Sequence, residues 1–249
     1  MTFIRVRDAA QQAAKQGSLT PHQAAALGRL DEIIEQRLTT AERQEVTELW
    51  RAAGSPAAPA GPVPAVEEWR TVIRALNLSQ PDARTCQAAC IGMAVGDRDI
   101  QGIRRKLDSL GSAGSPRVMA EVIRAYGKPY SLEMDASLAE VIGWLKAGEF
   151  LITHGWFTGP GHVICLDGLK RTPKGTRHLF DVRDPWGEFD FPAWKYLPGA
   201  TFYTGFYSEL GIYAACVAGT SAADASARYR AGVVNRAQGG MWVHRMLTA

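Results

Sequence analysis

A cysteine becomes a nucleophile when its thiol pKa is lowered, a base lies within hydrogen-bond reach, a third group orients that base, and donors await the oxyanion. The run Thr85-Cys86-Gln87-Ala88-Ala89-Cys90 opens a stretch of small and apolar residues that reads as a buried helix. Cys86 falls in its first turn, where the helix N-terminus favours a thiolate and the cysteine's own N–H can face a developing oxyanion. Gln80 lies six residues earlier on a loop held by Pro81, where its side-chain amide is suited to the second oxyanion hydrogen bond. His162 opens a strand directly after Gly159-Pro160-Gly161, so its ring is expected at a sheet end, placed to act as base. Asp184 heads Asp184-Pro185-Trp186-Gly187 at the end of a later strand, where it can accept from the imidazole and fix its tautomer.

Other residues compete for these roles. His154, in "LITHGWF", is either a pocket residue or the base itself. Asp184 could simply begin a β-turn, which aspartate before proline favours. Cys90, Cys165 and Cys216 read as packing residues, His178 as a strand-surface residue and His22 as a helix-cap neighbour. Trp156 and Trp186 either line a cleft or pack on the sheet. With no CxxC pair and five scattered histidines, neither a disulfide framework nor a zinc site emerges. No metal or cofactor is expected.

"QPDARTCQAACIGMAVG" resembles the nucleophile segment of the bacteriocin-processing peptidases, in which a glutamine, five residues and a cysteine precede small residues opening a central helix. "GHVICLDG" is similar to their histidine strand and "DVRDPWGEF" to their aspartate-proline turn. The likeness spans roughly residues 67–190 and keeps the papain-like order Gln80, Cys86, His162, Asp184. It implies a papain-like cysteine hydrolase of α+β class, its nucleophile helix packed on an antiparallel sheet, with His162 rather than His154 as base. One position departs: the family usually has glycine after the nucleophile, where this chain has Gln87. A side chain there could crowd the thiolate, limiting substrate size or leaving an inactive papain-like binding module.

These residues must be held by recognisable elements. Residues 1–52 are expected to form a helical hairpin, since Thr20-Pro21-His22-Gln23 and Thr39-Thr40-Ala41-Glu42 each read as a capping device before apolar residues at helical spacing. "AAGSPAAPAGPVPAVEE" breaks every periodicity and predicts a linker over 53–66. A catalytic domain is expected over 67–212, with helices at 99–110 and 115–126 and one capped by Ser137-x-x-Glu140 that stops at Gly148. Strands are expected in "EFLITHGWF", "GHVICLDGL", "RHLFDVRD" and "GATFYTGFY". Helices followed by strands is the α+β order. Residues 213–249 read as a helical, basic appendage containing Arg228, Arg230, Arg236 and Arg245.

The 249 residues are 46% hydrophobic and 21% charged, an ordinary globular composition. A net charge of +3 is too small to imply nucleic acid, yet would not repel a polyanionic bacterial wall. No apolar run approaches the roughly 20 residues of a membrane span, and "MTFIRVRDAAQQAAKQG" lacks the apolar core of a secretory signal. A cytoplasmic product with reduced thiols is expected. Relatives of the peptidase type usually precede transporter segments, whereas a lone hydrolase with a helical module and a proline linker resembles phage and bacterial wall-lytic enzymes. The N-terminal hairpin likewise looks like helical modules of phage endolysins. The expected activity is therefore cleavage of an amide bond in peptidoglycan after release to the wall. Alternatives are a cysteine protease acting on a protein or leader peptide, and the inactive binding module.

Overall fold

Helix α1 (Cys86–Val95) is built for enclosure, because every residue except Gln87 is buried. Ala88, Ala89, Gly92 and Ala94 keep its girth small. A Cβ on Gly92 would stand 2.5 Å from the Asp97 carbonyl oxygen and 2.8 Å from Leu78 Cδ1, so glycine alone lets those segments close on the helix. The helix stops at Gly96, whose left-handed φ of 85° suits glycine. Helix α2 (Ile100–Leu110) starts where Asp99 accepts from the Gly102 N–H, and α3 (Pro116–Arg124) starts with proline in its first turn.

The computed structural model describes residues 76–171, 177–199 and 201–247. The expected N-terminal hairpin and linker, and the start of the catalytic domain at 67, lie outside the described residues. The described residues adopt an α+β architecture. After α3 come β1 (Tyr130–Ala136), α4 (Leu138–Lys146), β2 (Phe150–Gly155), β3 (His162–Arg171) and β4 (His178–Asp184). A two-residue pair, β5 (Phe189–Asp190) and β6 (Lys195–Tyr196), precedes β7 (Tyr203–Ser208). A short α5 (Glu209–Ile212) runs into a π-helix (Tyr213–Ala218), followed by α6 (Ala222–Ala231) and β8 (Met241–Met246). Helix α4 carries the reciprocal Ser137–Glu140 cap that its sequence announces, a device worth about 1 kcal/mol.

Six strands form one sheet in the order β1-β8-β2-β3-β4-β7. The pairs β1–β8, β8–β2, β2–β3 and β4–β7 are antiparallel. Side chains alternate across it. Phe150, Ile152, Val163, Cys165 and Met246 pack with α1, α2 and α3. Leu151, Ile164, Leu166, Phe180, Val182 and Val243 pack on the opposite face with α4, the π-helix and Tyr229 of α6.

The tail is the main correction. Residues 213–218 and 222–231 are helical as expected, but Met241–Met246 form a strand, so the fold does not end at residue 212. β8 lies inside the sheet, with Tyr130 opposite Met246 on one side and Phe150 opposite Met246 on the other. The charge that suggested a solvated helix is matched within the sheet: Arg245 pairs with Glu149 at 2.8 Å and Glu133 at 3.2 Å. Three of the four arginines of the expected basic appendage are thus held by carboxylates, since Arg228 pairs with Asp224 and Arg236 with Glu209. His178 is corrected too. It is buried, and its N–H and ring nitrogen both donate to Glu209 Oε2, at 2.7 and 3.0 Å. Among the described residues no helix is long and apolar enough to cross a membrane.

Candidate active site

Thr85 precedes α1 without capping it, and its hydroxyl donates to the Asp82 carbonyl at 3.2 Å. The N–H of Gln87 is therefore left to point at Cys86 Sγ, joined there by the N–H of Val163 from β3. His162 is the third partner of the thiol. Burial alone pushes the Cys86 thiol up, but the hydrogen bond and charge of His162, with the two N–H groups, outweigh it and leave the thiol below its ordinary value.

His162 is 5% exposed, and its Nε2 donates to Asp184 Oδ1 at 2.8 Å. With Nε2 committed, Nδ1 is the nitrogen left for Cys86. Burial presses the imidazole toward neutrality, yet the Asp184 carboxylate and Cys86 raise it to about 10. A thiol shifted down beside an imidazole shifted up is the pattern of a thiolate–imidazolium pair.

Asp184 is fully buried and all four of its acceptor positions are used. Oδ1 takes the His162 ring and the Trp186 N–H at 3.0 Å, while Oδ2 takes the hydroxyls of Tyr196 and Tyr207, both at 2.9 Å. The Trp186 N–H closes a turn onto Asp184 Oδ1, and the same oxygen contacts the His162 ring. The Tyr196 ring also meets His162 edge-on, with centroids 5.5 Å apart and planes at 78°.

Gln80 is pinned beside this turn. Its N–H donates to the Pro185 carbonyl at 2.9 Å, and its Nε2 donates to the Asp82 carbonyl at 2.7 Å, leaving the second Nε2 hydrogen for another acceptor. Arg183, next to Asp184, holds the preceding segment through Leu76 O at 2.9 Å and Asn77 Oδ1 at 3.2 Å while pairing with Asp167 at 2.8 Å. Removing one partner of a pair so buried costs about 3–5 kcal/mol. Gln87 reaches toward Gly114 in the α2–α3 connection, where a Cβ would meet its Nε2 at 3.9 Å.

His154 sits near His162 without contacting Asp184 or Cys86 in any described hydrogen bond. It stacks on Trp242 and meets Trp156 edge-on, with centroids 5.8 and 5.1 Å away, and its ring occupies the space a Cβ on Gly161 would need. Gly161, at φ 82°, therefore serves both the turn and the histidine. Burial and the charge of His162 lower His154 to about 4. Trp156 is half-buried, its N–H donating to Ala215 O of the π-helix at 2.9 Å, and Trp186 is exposed. All four thiols are free. Cys90 donates to Val163 O at 3.3 Å, and burial pushes its thiol well up. Burial raises Cys216 likewise.

Arg183, Tyr196 and Tyr207 carry no signal of their place in the site. Tyr196 and Tyr207 lie 12 and 23 residues beyond Asp184 with no motif around them, and only the strand pairing brings them back. Among the described residues no cluster of three or more His, Cys, Asp or Glu side chains could hold a metal ion. Comparison with models of known protein families gives no match, and no curated protein matches the chain at a significant level.

Proposed function

We propose that the protein is a thiol-dependent, papain-like hydrolase that cleaves an amide bond of bacterial peptidoglycan, in stem peptides or cross-links. The observation that carries the hydrolytic reading is His162, which contacts Cys86 with one edge of its ring and a fully buried carboxylate with the other. The Cys86 thiolate attacks the carbonyl carbon, and the oxyanion is met by the Cys86 N–H and the spare Gln80 Nε2 hydrogen. His162 then gives its proton to the leaving amine nitrogen as the C–N bond breaks, forming a thioester. Water, deprotonated by the neutral imidazole, attacks the thioester, and the acid and the thiolate–imidazolium pair are regenerated.

The peptidoglycan substrate rests on the resemblance of the nucleophile, histidine and aspartate segments to the peptidases, joined to the likeness of the N-terminal sequence to modules of phage endolysins. Amine release from purified peptidoglycan of several chemotypes, compared between the intact protein and Cys86→Ala, tests it. Cys86-dependent release is expected, and background release from both proteins on every wall would sink the wall reading. The carboxylate-paired arginines favour a second reading, a protease on protein substrates, which would show as Cys86-dependent casein cleavage without wall cleavage.

A further inference from the structure

Asp184 is held from four directions, and the two donors on its Oδ2 come from elements with no part in the Cys86–His162 contact. Tyr196 stands on β6, in a two-stranded hairpin between Asp184 and β7. The hairpin is secured at both ends: the Leu197 N–H donates to Glu188 O at 2.9 Å, and the Trp194 indole N–H donates to Trp156 O at 3.1 Å in the turn that carries His162. Trp194 takes a left-handed φ of 49°, a conformation that costs energy for a bulky residue and persists when its surroundings fix it. Tyr207 reaches the same oxygen from β7, in the register that sets Tyr203 opposite Asp184 and Tyr207 opposite Phe180.

Two hydroxyls on one carboxylate oxygen spread its negative charge. A carboxylate facing a buried imidazolium with no other donors would hold the proton so firmly that its transfer to a leaving amine would be uphill. Resting on the reading of Cys86, His162 and Asp184 as the hydrolytic site, we propose that Tyr196 is a positioning residue, supported by Tyr207, that shares the Asp184 charge and thereby sets how readily His162 releases its proton. The edge contact of the Tyr196 ring with His162 gives it a hold on both members of the pair at once.

Other ionisable groups face this network. Arg104 of α2 and Cys90 of α1 lie near Cys86, His154 of β2 lies near His162, Cys216 of the π-helix lies near Asp184, and Tyr203 of β7 lies beside Tyr207. None of these is altered by removing the Tyr196 hydroxyl, so Tyr196→Phe isolates one donor while keeping the ring.

The test is the rate of Cys86 alkylation by iodoacetate against pH, with the adduct located by peptide mass, on the full chain. The rate should rise as Cys86 loses its proton and fall as His162 loses its own, because the imidazolium draws in the anionic reagent. In Tyr196→Phe the geometry remains pinned by Tyr207, Trp186 and His162, and the falling limb should move up by about 0.5–1 pH unit, the worth of one hydrogen bond. Turnover should show the same variant as a lowered kcat with little change in KM. If Tyr196→Phe does not fold, as judged by its thermal transition, Tyr207→Phe must show the upward shift. A falling limb that stays in place or moves down in a folded variant, beside a bell-shaped wild-type profile, overturns the role of Tyr196 alone. A wild-type profile without a bell at Cys86 overturns both this proposal and the hydrolytic reading beneath it.

Discussion

His162 Nε2 and Asp184 Oδ1 lie 2.8 Å apart with the two side chains 5% and 0% exposed, so water does not compete for the contact. The proton on Nε2 is thereby fixed, which leaves Nδ1 as the nitrogen for the proposed reaction. His162→Ala should lower turnover on the order of 10³-fold or more, whereas Asp184→Asn, which keeps an acceptor and loses the charge, should lower it less. Steady-state rates on a cleavable peptide check this. Full activity in His162→Ala together with loss in His154→Ala would move the base to His154.

Thiol reactivity should be confined to one residue. Cys86 has its thiolate stabilised by His162 and two N–H groups, while burial holds Cys90 and Cys216 in the unreactive protonated form. Iodoacetamide labelling of the native protein, mapped by peptide mass, should find Cys86 first. Cys90→Ala should leave turnover nearly unchanged, and faster labelling of Cys90 would refute the assignment.

Deleting the chain after Ile212 should remove the fold rather than an accessory. The truncation strips β8 from between β1 and β2 and takes Val243 and Met246 out of the two cores they help to fill. Loss of the cooperative thermal transition and of all activity is expected. A truncated protein that melts like the intact one would contradict the sheet order.

Two histidines, His244 buried and His154 half-buried, should make the fold sensitive to acid. Burial lowers His244 to about 3 and His154 to about 4, below the ordinary value near 6.5 that each regains on unfolding. Below that value the unfolded chain binds protons that the folded one refuses. Their contribution is therefore complete above pH ~6.5 and is lost as pH falls toward ~4 and then ~3. His162 has the opposite sign: its raised value adds stability below pH ~6.5 that is lost as pH rises toward about 10. His244→Gln, which can still accept from the Tyr130 hydroxyl, should flatten the acid slope of the melting temperature measured between pH 4 and 6.5. An unchanged slope would remove His244 from this account.

Residues whose neighbours are local are legible in the sequence. The Ser137–Glu140 cap, the small-residue helix after Cys86 and the Gly-Pro-Gly turn before His162 each depend on residues within one turn, and their types state the need. β1 is hidden because "YSLEMDA" carries polar and charged residues on a strand that is only partly covered. β8 is hidden because Arg245 and His244 read as solvent-facing, when Glu133 and Tyr130 of β1 and Glu149 just before β2 satisfy them. Asp184 can be named from its turn, but its two tyrosines cannot, since their nearness is a property of strand register and not of spacing.

The pairing of Tyr130 with Met246 also governs how the protein reaches its fold. β1 and β2 are near neighbours in the chain, yet they never pair with each other, because the strand that joins them comes from about a hundred residues later. Until that strand inserts, both present open hydrogen-bonding edges of the kind that recruit other chains. Contacts this distant in sequence must absorb their loop-closure entropy before they stabilise anything, which slows folding and prolongs the exposed intermediate. Refolding from denaturant should accordingly give a yield that falls steeply as protein concentration rises.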